Sequence, residues 1–309
     1  MPQPSQPYRY AIRDGLRSLR KRLGWYSPKG HPGTDATPQT TVTLQSTSLD
    51  DVESARHHSR ELYSNVGLHD STRAGWFNRT TQELFTGFPI RSADTVVDVG
   101  CGLGGNLRFC ADFAQHLIGI DIDPERVEAT RRLLSEAAPN RFDVLQGNGE
   151  RLPVDSASAD KIICTEVIEH VDSPSQALQE LVRIGKPGAL YLLSVPGQLS
   201  EELTKTVAPA SWFEKPNHIR ILGTDEFRKL VESSGLQVER HEFAGFYWTI
   251  WHIILCLCQV DHHNGTHPAL DRWSQAWDYL LSDPQAKARI RDLDQILHKS
   301  QIIIARKPA

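Results

Sequence analysis

Two hydrophobic rhythms alternate along this chain. Short apolar runs recur at Thr95–Val99, Leu117–Ile120, Arg141–Gln146, Asp160–Thr165 and Ala189–Val195. Such dense Val/Ile/Leu runs suit strands buried on both faces of a parallel sheet. Between them lie stretches with apolar residues three or four apart, at Asn106–Ala114, after Asp123-Pro124 and over Pro174–Ile184. Asp123 reads as an N-cap with Pro124 in the first helical position. Thr224 is expected to cap a further helix, with Asp225 and Glu226 in its first turn. Gln237–Phe243 and Ile302–Ala305 give a sixth and a seventh strand. Strand and helix alternating over short connections predict an α/β, doubly wound sheet.

The flanks follow other patterns. Ile12, Leu16, Leu19 and Leu23 form one helical stripe among arginines, and residues 27–48 are rich in Pro, Gly, Ser and Thr, as a linker is. Helices are expected at Leu49–Gly67 and around Trp76–Phe85. Gly245–Val260 is almost wholly apolar but too short to span a bilayer. Helices at Asp271–Leu281 and Gln285–Leu297 follow. Residues 1–48 thus read as a basic helix and linker, 49–243 as the core, 244–300 as a helical insertion and 301–309 as the last core strand and tail.

Charge and cysteines narrow the class. Residues 1–30 hold seven Lys/Arg and one acid, net +6, while the whole chain carries −4, so the remainder carries −10. An acidic body argues against nucleic acid as a partner. Five cysteines without paired spacing suggest reduced thiols and a cytoplasmic protein. The basic helix and residues 245–260 leave peripheral membrane contact open, and the apolar run leaves a homodimer seam open. His262, His263 and His267 sit in a polar loop, and no metal is expected there.

The candidate chemistry centres on Thr95–Asn106, TVVDVGCGLGGN. Strand, glycine-rich turn and helix make a nucleotide-cofactor platform. Gly100, Gly102 and Gly105 satisfy G-x-G-x-x-G, so a dinucleotide-dependent oxidoreductase is one reading. Asp98, two residues before the first glycine, favours another. A carboxylate there repels a pyrophosphate and attracts a ligand bearing an ammonium and a sulfonium. Asp121, at the end of the next strand, is placed to accept both ribose hydroxyls of an adenosine.

The run DVGCGLGG resembles the first motif of class I S-adenosylmethionine (SAM) methyltransferases, an acid, any residue, then G-x-G-x-G. Leu152-Pro153, EVIEHV from Glu166, GKPGA from Gly185 and the stretch from His218 to Glu226 resemble further segments of that family, over about residues 93–243. The resemblance implies a Rossmann-like seven-stranded sheet with an antiparallel last strand between the fifth and sixth, preceded by helices that close over the cofactor and lined there by Tyr63 and Trp76. It implies S-adenosyl-L-methionine as cofactor, held by Asp98, Gly100, Cys101, Gly102, Gly104, Asp121, Ile122, Asn148, Gly149 and Thr165. Asn148 stands where the family usually has an acid for the adenine amino group; its carbonyl can also accept, and Glu150 is a nearby alternative. The implied activity is methyl transfer to a small-molecule acceptor, a hydroxyl of a hydrophobic or glycosylated metabolite. His218 is the first candidate for the general base, His170 the second, and Glu166 a positioning group. A membrane-associated protein that kept the fold without the activity remains a third reading.

Overall fold

The apolar runs assemble as their pattern predicts. The computed structural model describes residues 49–261 and 265–309. Its main sheet has the order β6 (Phe142–Gln146), β5 (His116–Asp121), β4 (Thr95–Val99), β7 (Ala159–Thr165), β8 (Gly185–Pro196), β10 (Ser300–Arg306) and β9 (Gln237–Ala244). The first five strands pair in parallel, and β10 runs antiparallel to both neighbours. From β4 the chain winds outward to β6, then returns to build β7 on the other side. The loops after β4 and β7 therefore meet across a crevice at the carboxyl edge of the sheet, where ligands of such folds bind.

Side chains alternate across the sheet with period two. Val96 joins one layer with Leu117, Ile163 and Leu192, while Val97 and Val99 join the other with Ile120, Ile162 and Leu193. The first layer is covered by α2 (Gly105–Cys110) and α3 (Pro124–Ala137) through Leu107, Val127 and Leu134. The second is covered by α4 (Pro174–Ile184) and α6 (Thr224–Ser233) through Leu178, Leu181, Phe227 and Val231. Each fully buried aliphatic side chain contributes about 1.5–3 kcal/mol. Asp123 caps α3 as expected, accepting from the Glu125 amide at 2.9 Å.

Three elements differ from the pattern. Trp76–Phe85 is not a helix but two strands of a small antiparallel sheet, β1 (Trp76–Asn78), β2 (Glu83–Phe85) and β3 (Phe88–Pro89). The cause is turn chemistry. Asn78 Oδ1 accepts from the amides of Thr80 and Thr81, bending the chain back so that Trp76 lies across from Phe85, ring centroids 4.9 Å apart. The helix before it, α1 (Leu49–Ala74), runs past Gly67, where a helix end was expected. Gly67 is there for space: a Cβ would stand 2.2 Å from the Trp248 ring. At α6, Thr224 is the first helical residue. The cap is Gly223, whose amide donates to the Glu226 carboxylate.

Between β9 and β10 the chain makes a helical excursion: α7 (Phe246–Leu257), α8 (Pro268–Ser282) and α9 (Pro284–Asp294). The apolar run is α7, and it buries Tyr247, Trp251 and Leu255 against Tyr63, Val66, Leu270, Trp277 and Ile290. A buried charge network joins the helices. Arg73 donates to Asp70 at 3.0 Å and to Asp294 at 2.8 Å, and Trp277 Nε1 donates to Asp70 at 3.0 Å. No helix among the described residues is long and apolar enough to cross a membrane. The basic stripe at residues 8–26, the linker, and His262 and His263 lie outside the described residues.

Candidate active site

At the carboxyl end of β4 the chain turns through left-handed backbone that glycine adopts freely. Gly100 has φ +73°, and a Cβ there would stand 2.3 Å from Val167. Gly102 has φ +53° and faces open space, with nothing within 4 Å of where a Cβ would stand. Gly104 is the left-handed residue that starts α2. Beneath the turn lies Asp98, 1% exposed, with neither carboxylate oxygen engaged by a donor at bonding distance. Burial pushes its pKa from 3.8 up to about 8. The Asn106 amide pulls it down in part, and the Asp121 charge adds to the rise. That amide points to Thr165 Oγ1 at 3.4 Å. Cys101 is a neutral thiol, pushed up to about 12 by burial and then by Asp98 and Asp121.

Asp121 ends β5 beside this turn. Its Oδ2 accepts from the Gly102 amide at 2.8 Å and its Oδ1 from the Asp123 amide at 3.0 Å, so the carboxylate is fixed against the glycine bend. Ile122 and Leu103 leave large apolar side chains in solvent there, 69% and 70% exposed. After β6, Asn148 Oδ1 accepts from the Arg151 amide at 3.0 Å, which closes its own turn and leaves the second lone pair available. Glu150 is committed elsewhere: it accepts from the Ser173 amide at 2.6 Å, at the start of α4. A Cβ at Gly149 would stand 3.5 Å from the Val171 side chain.

Next to the turn opens a cavity of about 240 Å³. Asn106, Thr165, Glu166, Ser194, Trp248 and Lys299 line it, with Trp76 and Phe77 from β1. Trp76 thus reaches the cavity, whereas Tyr63 lies in the helical cluster, its hydroxyl donating to Asp271 at 2.5 Å. Glu166 sits in left-handed backbone, φ +56°, pinned by its amide donating to Ser194 O at 2.9 Å. Its carboxylate accepts from Lys299 Nζ at 2.8 Å and Ser194 Oγ at 3.0 Å. Burial raises the Glu166 pKa, but Lys299 and these hydrogen bonds outweigh it and hold the carboxyl below the usual range.

Three residues further on, the same loop meets the segment after α5 (Gln198–Thr204). His170 and His218 are edge to face, ring centroids 4.9 Å apart. His218 Nδ1 lies 2.6 Å from the buried Glu201 carboxylate, and His170 Nδ1 lies 3.1 Å from Pro216 O. Burial, then the His218 charge, lower the His170 pKa. Glu169, 1% exposed, stands beside them with no donor on either oxygen, and burial followed by the Glu166 charge raises its pKa well above the carboxylate range. Both histidines are therefore brought together, but neither lines the cavity; of the three expected catalytic residues only Glu166 does.

Known proteins are similar to this chain in sequence and fold. A family model for the methyltransferase domain matches residues 97–193. Over this segment the chain is similar to methyltransferase domains. A probable S-adenosylmethionine-dependent methyltransferase of Mycolicibacterium smegmatis is 33% identical over 145 residues, 47% of this chain and 52% of that protein. A ubiquinone biosynthesis O-methyltransferase of Maricaulis maris is 27% identical over 180 residues, 57% of this chain and 66% of that one. The chain spans about half the length of the first of these. The fold matches the putative methyltransferase crystallised with the Haloferax volcanii Trm112 methyltransferase activator, with TM-score 0.52, 19% identity, and coverage of 86% of this chain and 100% of that one. It also matches the [4+2]-cyclase SpnF, with TM-score 0.51, 18% identity, 84% and 95% covered. Likeness at that level speaks for the fold alone, which does not choose a reaction.

The residues of this turn fit S-adenosylmethionine on their own geometry. Neither oxygen of the buried Asp98 carboxyl has a donor at bonding distance, and the glycine bend over it is open. The dinucleotide reading would set a pyrophosphate against that carboxylate, which repels it. Sequence reasoning missed Lys299, Ser194, Glu169 and Glu201. Lys299 stands 133 positions from Glu166, and only the antiparallel insertion of β10 brings the two together.

Proposed function

We propose that the protein transfers a methyl group from SAM to a hydroxyl of a small, largely apolar acceptor seated in the cavity beside Glu166. The observation that carries this reading is Asp98: a buried, donor-free carboxylate under an open glycine bend suits the methionine ammonium. Gly100, Gly102 and Gly104 give the methionine part its backbone cradle, with Cys101 inside the bend. Asp121 takes the ribose hydroxyls. Ile122 gives the adenine an apolar face, with Asn148 and Gly149 at its polar edge, and Thr165 borders the methyl.

When bound, the cofactor supplies an activated methyl: the acceptor oxygen bonds the methyl carbon as the carbon–sulfur bond breaks, the electron pair goes to sulfur, and the hydroxyl proton goes to a base. The chain's part is alignment and exclusion of water. Lys299, Glu166 and Ser194 orient the acceptor hydroxyl, and Trp76, Phe77 and Trp248 give it apolar walls. Proton removal is assigned to the loop that carries His170 and meets His218, with His218 held by Glu201 as the principal group. The name of the Maricaulis maris relative supports oxygen as the atom methylated, and that of a 2-methyl-6-phytyl-1,4-hydroquinone methyltransferase of Synechocystis supports a hydrophobic ring compound as the acceptor class. The helical excursion after β9 acts as the substrate cap.

The test has two parts. Calorimetry with S-adenosylhomocysteine, and separately with NADH, measures which cofactor binds. Incubation of cell extract with the enzyme and methyl-deuterated SAM, read by mass spectrometry, then identifies the labelled acceptor. Binding of NADH without S-adenosylhomocysteine overturns the reading.

A further inference from the structure

Glu169 is an acid without an evident structural reason. It is 1% exposed, and neither of its oxygens meets a donor. The nearby cations are engaged elsewhere. Lys299 donates to Glu166. The Arg220 guanidinium donates to the carbonyls of Ile168, Val171 and Asp172. A lone buried carboxylate costs several kcal/mol unless something positive joins it.

What stands beside it is a pair of imidazoles. One donor atom each from Glu169, His170 and His218 lies within 4.8 Å of the others. His170 Nε2 is 3.8 Å from Glu169 Oε1. The far nitrogens are already fixed, His170 Nδ1 on the Pro216 carbonyl and His218 Nδ1 on the Glu201 carboxylate. Orientation of a histidine through its second nitrogen, by a carbonyl or a carboxylate, is how proteins prepare the other nitrogen for a metal.

We propose that Glu169, His170 and His218 bind one divalent transition-metal ion, with Glu201 and the Pro216 carbonyl orienting the two histidines. Two imidazoles and one carboxylate form a donor set for zinc, iron, cobalt or manganese, and three protein ligands leave positions open for oxygen. The metal site does not depend on the methyltransferase reading. Its use does: a bound cation would occupy the remaining nitrogen of His218, and the proton-handling role assigned to that imidazole would pass to an oxygen held on the cation.

The test uses untagged protein stripped with EDTA, dialysed against CoCl2 and assayed for bound cobalt by mass spectrometry and for its ligand-field spectrum. The wild-type chain is expected to retain close to one Co2+. Glu169→Gln and His218→Ala are expected to lose it, and Glu201→Gln to weaken it by about 10–100-fold. A His262→Ala/His263→Ala double variant tests the other histidine-rich stretch of the sequence and is expected to bind as wild type does. S-adenosylhomocysteine binding, measured alongside, reports the folded cofactor site. Wild-type protein that binds S-adenosylhomocysteine but holds no stoichiometric cobalt overturns the metal site and leaves the methyltransferase reading standing. Cobalt that survives both Glu169→Gln and His218→Ala, or that follows the double variant, overturns it too. Cobalt bound without any S-adenosylhomocysteine affinity removes the methyltransferase reading and keeps the metal.

Discussion

Asp98→Asn is the sharpest probe of the cofactor site, because it alters the ligand-free protein as well as the complex. Burial holds Asp98 near pKa 8 when folded, against 3.8 when exposed. An acid whose folded value is raised keeps its proton more tightly in the native state, so ionising it destabilises the fold. The penalty is absent below the unfolded value, grows as pH rises, and is complete above about 8. At 1.36 kcal/mol per pH unit the full effect is on the order of 5 kcal/mol, of which about 4 falls between pH 5 and 8. A domain of this size moves by roughly 2–4 °C per kcal/mol, so the melting temperature shifts by on the order of 10 °C. The asparagine variant keeps the shape without the charge. Thermal unfolding of both proteins, ligand-free, across pH 5–8 gives the difference directly, and all other titrating groups cancel. The variant is expected to gain on wild type as pH rises. With S-adenosylhomocysteine the order reverses: the ammonium meets an ionised Asp98 in wild type, and the variant loses about 10–100-fold in affinity, the worth of one charge-assisted hydrogen bond. Two melting curves that stay parallel from pH 5 to 8 refute the buried-acid argument.

Three further outcomes follow from the geometry. Asp121→Ala removes the proposed ribose acceptor and the anchor of the Gly102 and Asp123 amides; S-adenosylhomocysteine affinity measured by calorimetry is expected to fall at least 100-fold, two hydrogen bonds at about 1.5 kcal/mol each. His218→Ala is expected to cut turnover by at least 100-fold with cofactor affinity unchanged, as the proton-handling role requires; steady-state kinetics with the identified acceptor checks it. Arg73→Ala leaves Asp70 and Asp294 buried and uncompensated, and a loss of about 3–5 kcal/mol is expected in urea unfolding.

Much of this molecule can be read from its pattern, and the limits are physical. The parallel strands were legible because burial on both faces demands unbroken Val/Ile/Leu runs, and Asp98 and Asp121 because their place relative to the strand ends is local. Trp76–Phe85 was misread because its apolar spacing fits either period, while the deciding feature, Asn78 gathering the amides of Thr80 and Thr81, is a side-chain turn. Gly67 looked like a helix end and is a clearance for Trp248. Within the site, the Glu166–Lys299 pair and the meeting of Glu169 and His170 with His218 join distant segments, and no spacing in the chain announces them.

The long excursion between β9 and β10 ties assembly of the sheet to assembly of the cap. Ala244 and Ser300 are paired neighbours in the finished sheet, yet residues 245–299 lie between them. Left slack, a tether of that length costs roughly 2 kcal/mol more to close than a five-residue hairpin, at about 0.6 kcal/mol per doubling. Prior folding of α7–α9 onto α1 shortens the tether, so the last strand is expected to enter its slot only after those helices have docked. Lys299 travels with that strand. A lesion in the distant helices, at Trp277 or Asp294, is therefore expected to reach the reaction chamber by delaying or withdrawing the ammonium opposite Glu166, although neither residue touches it.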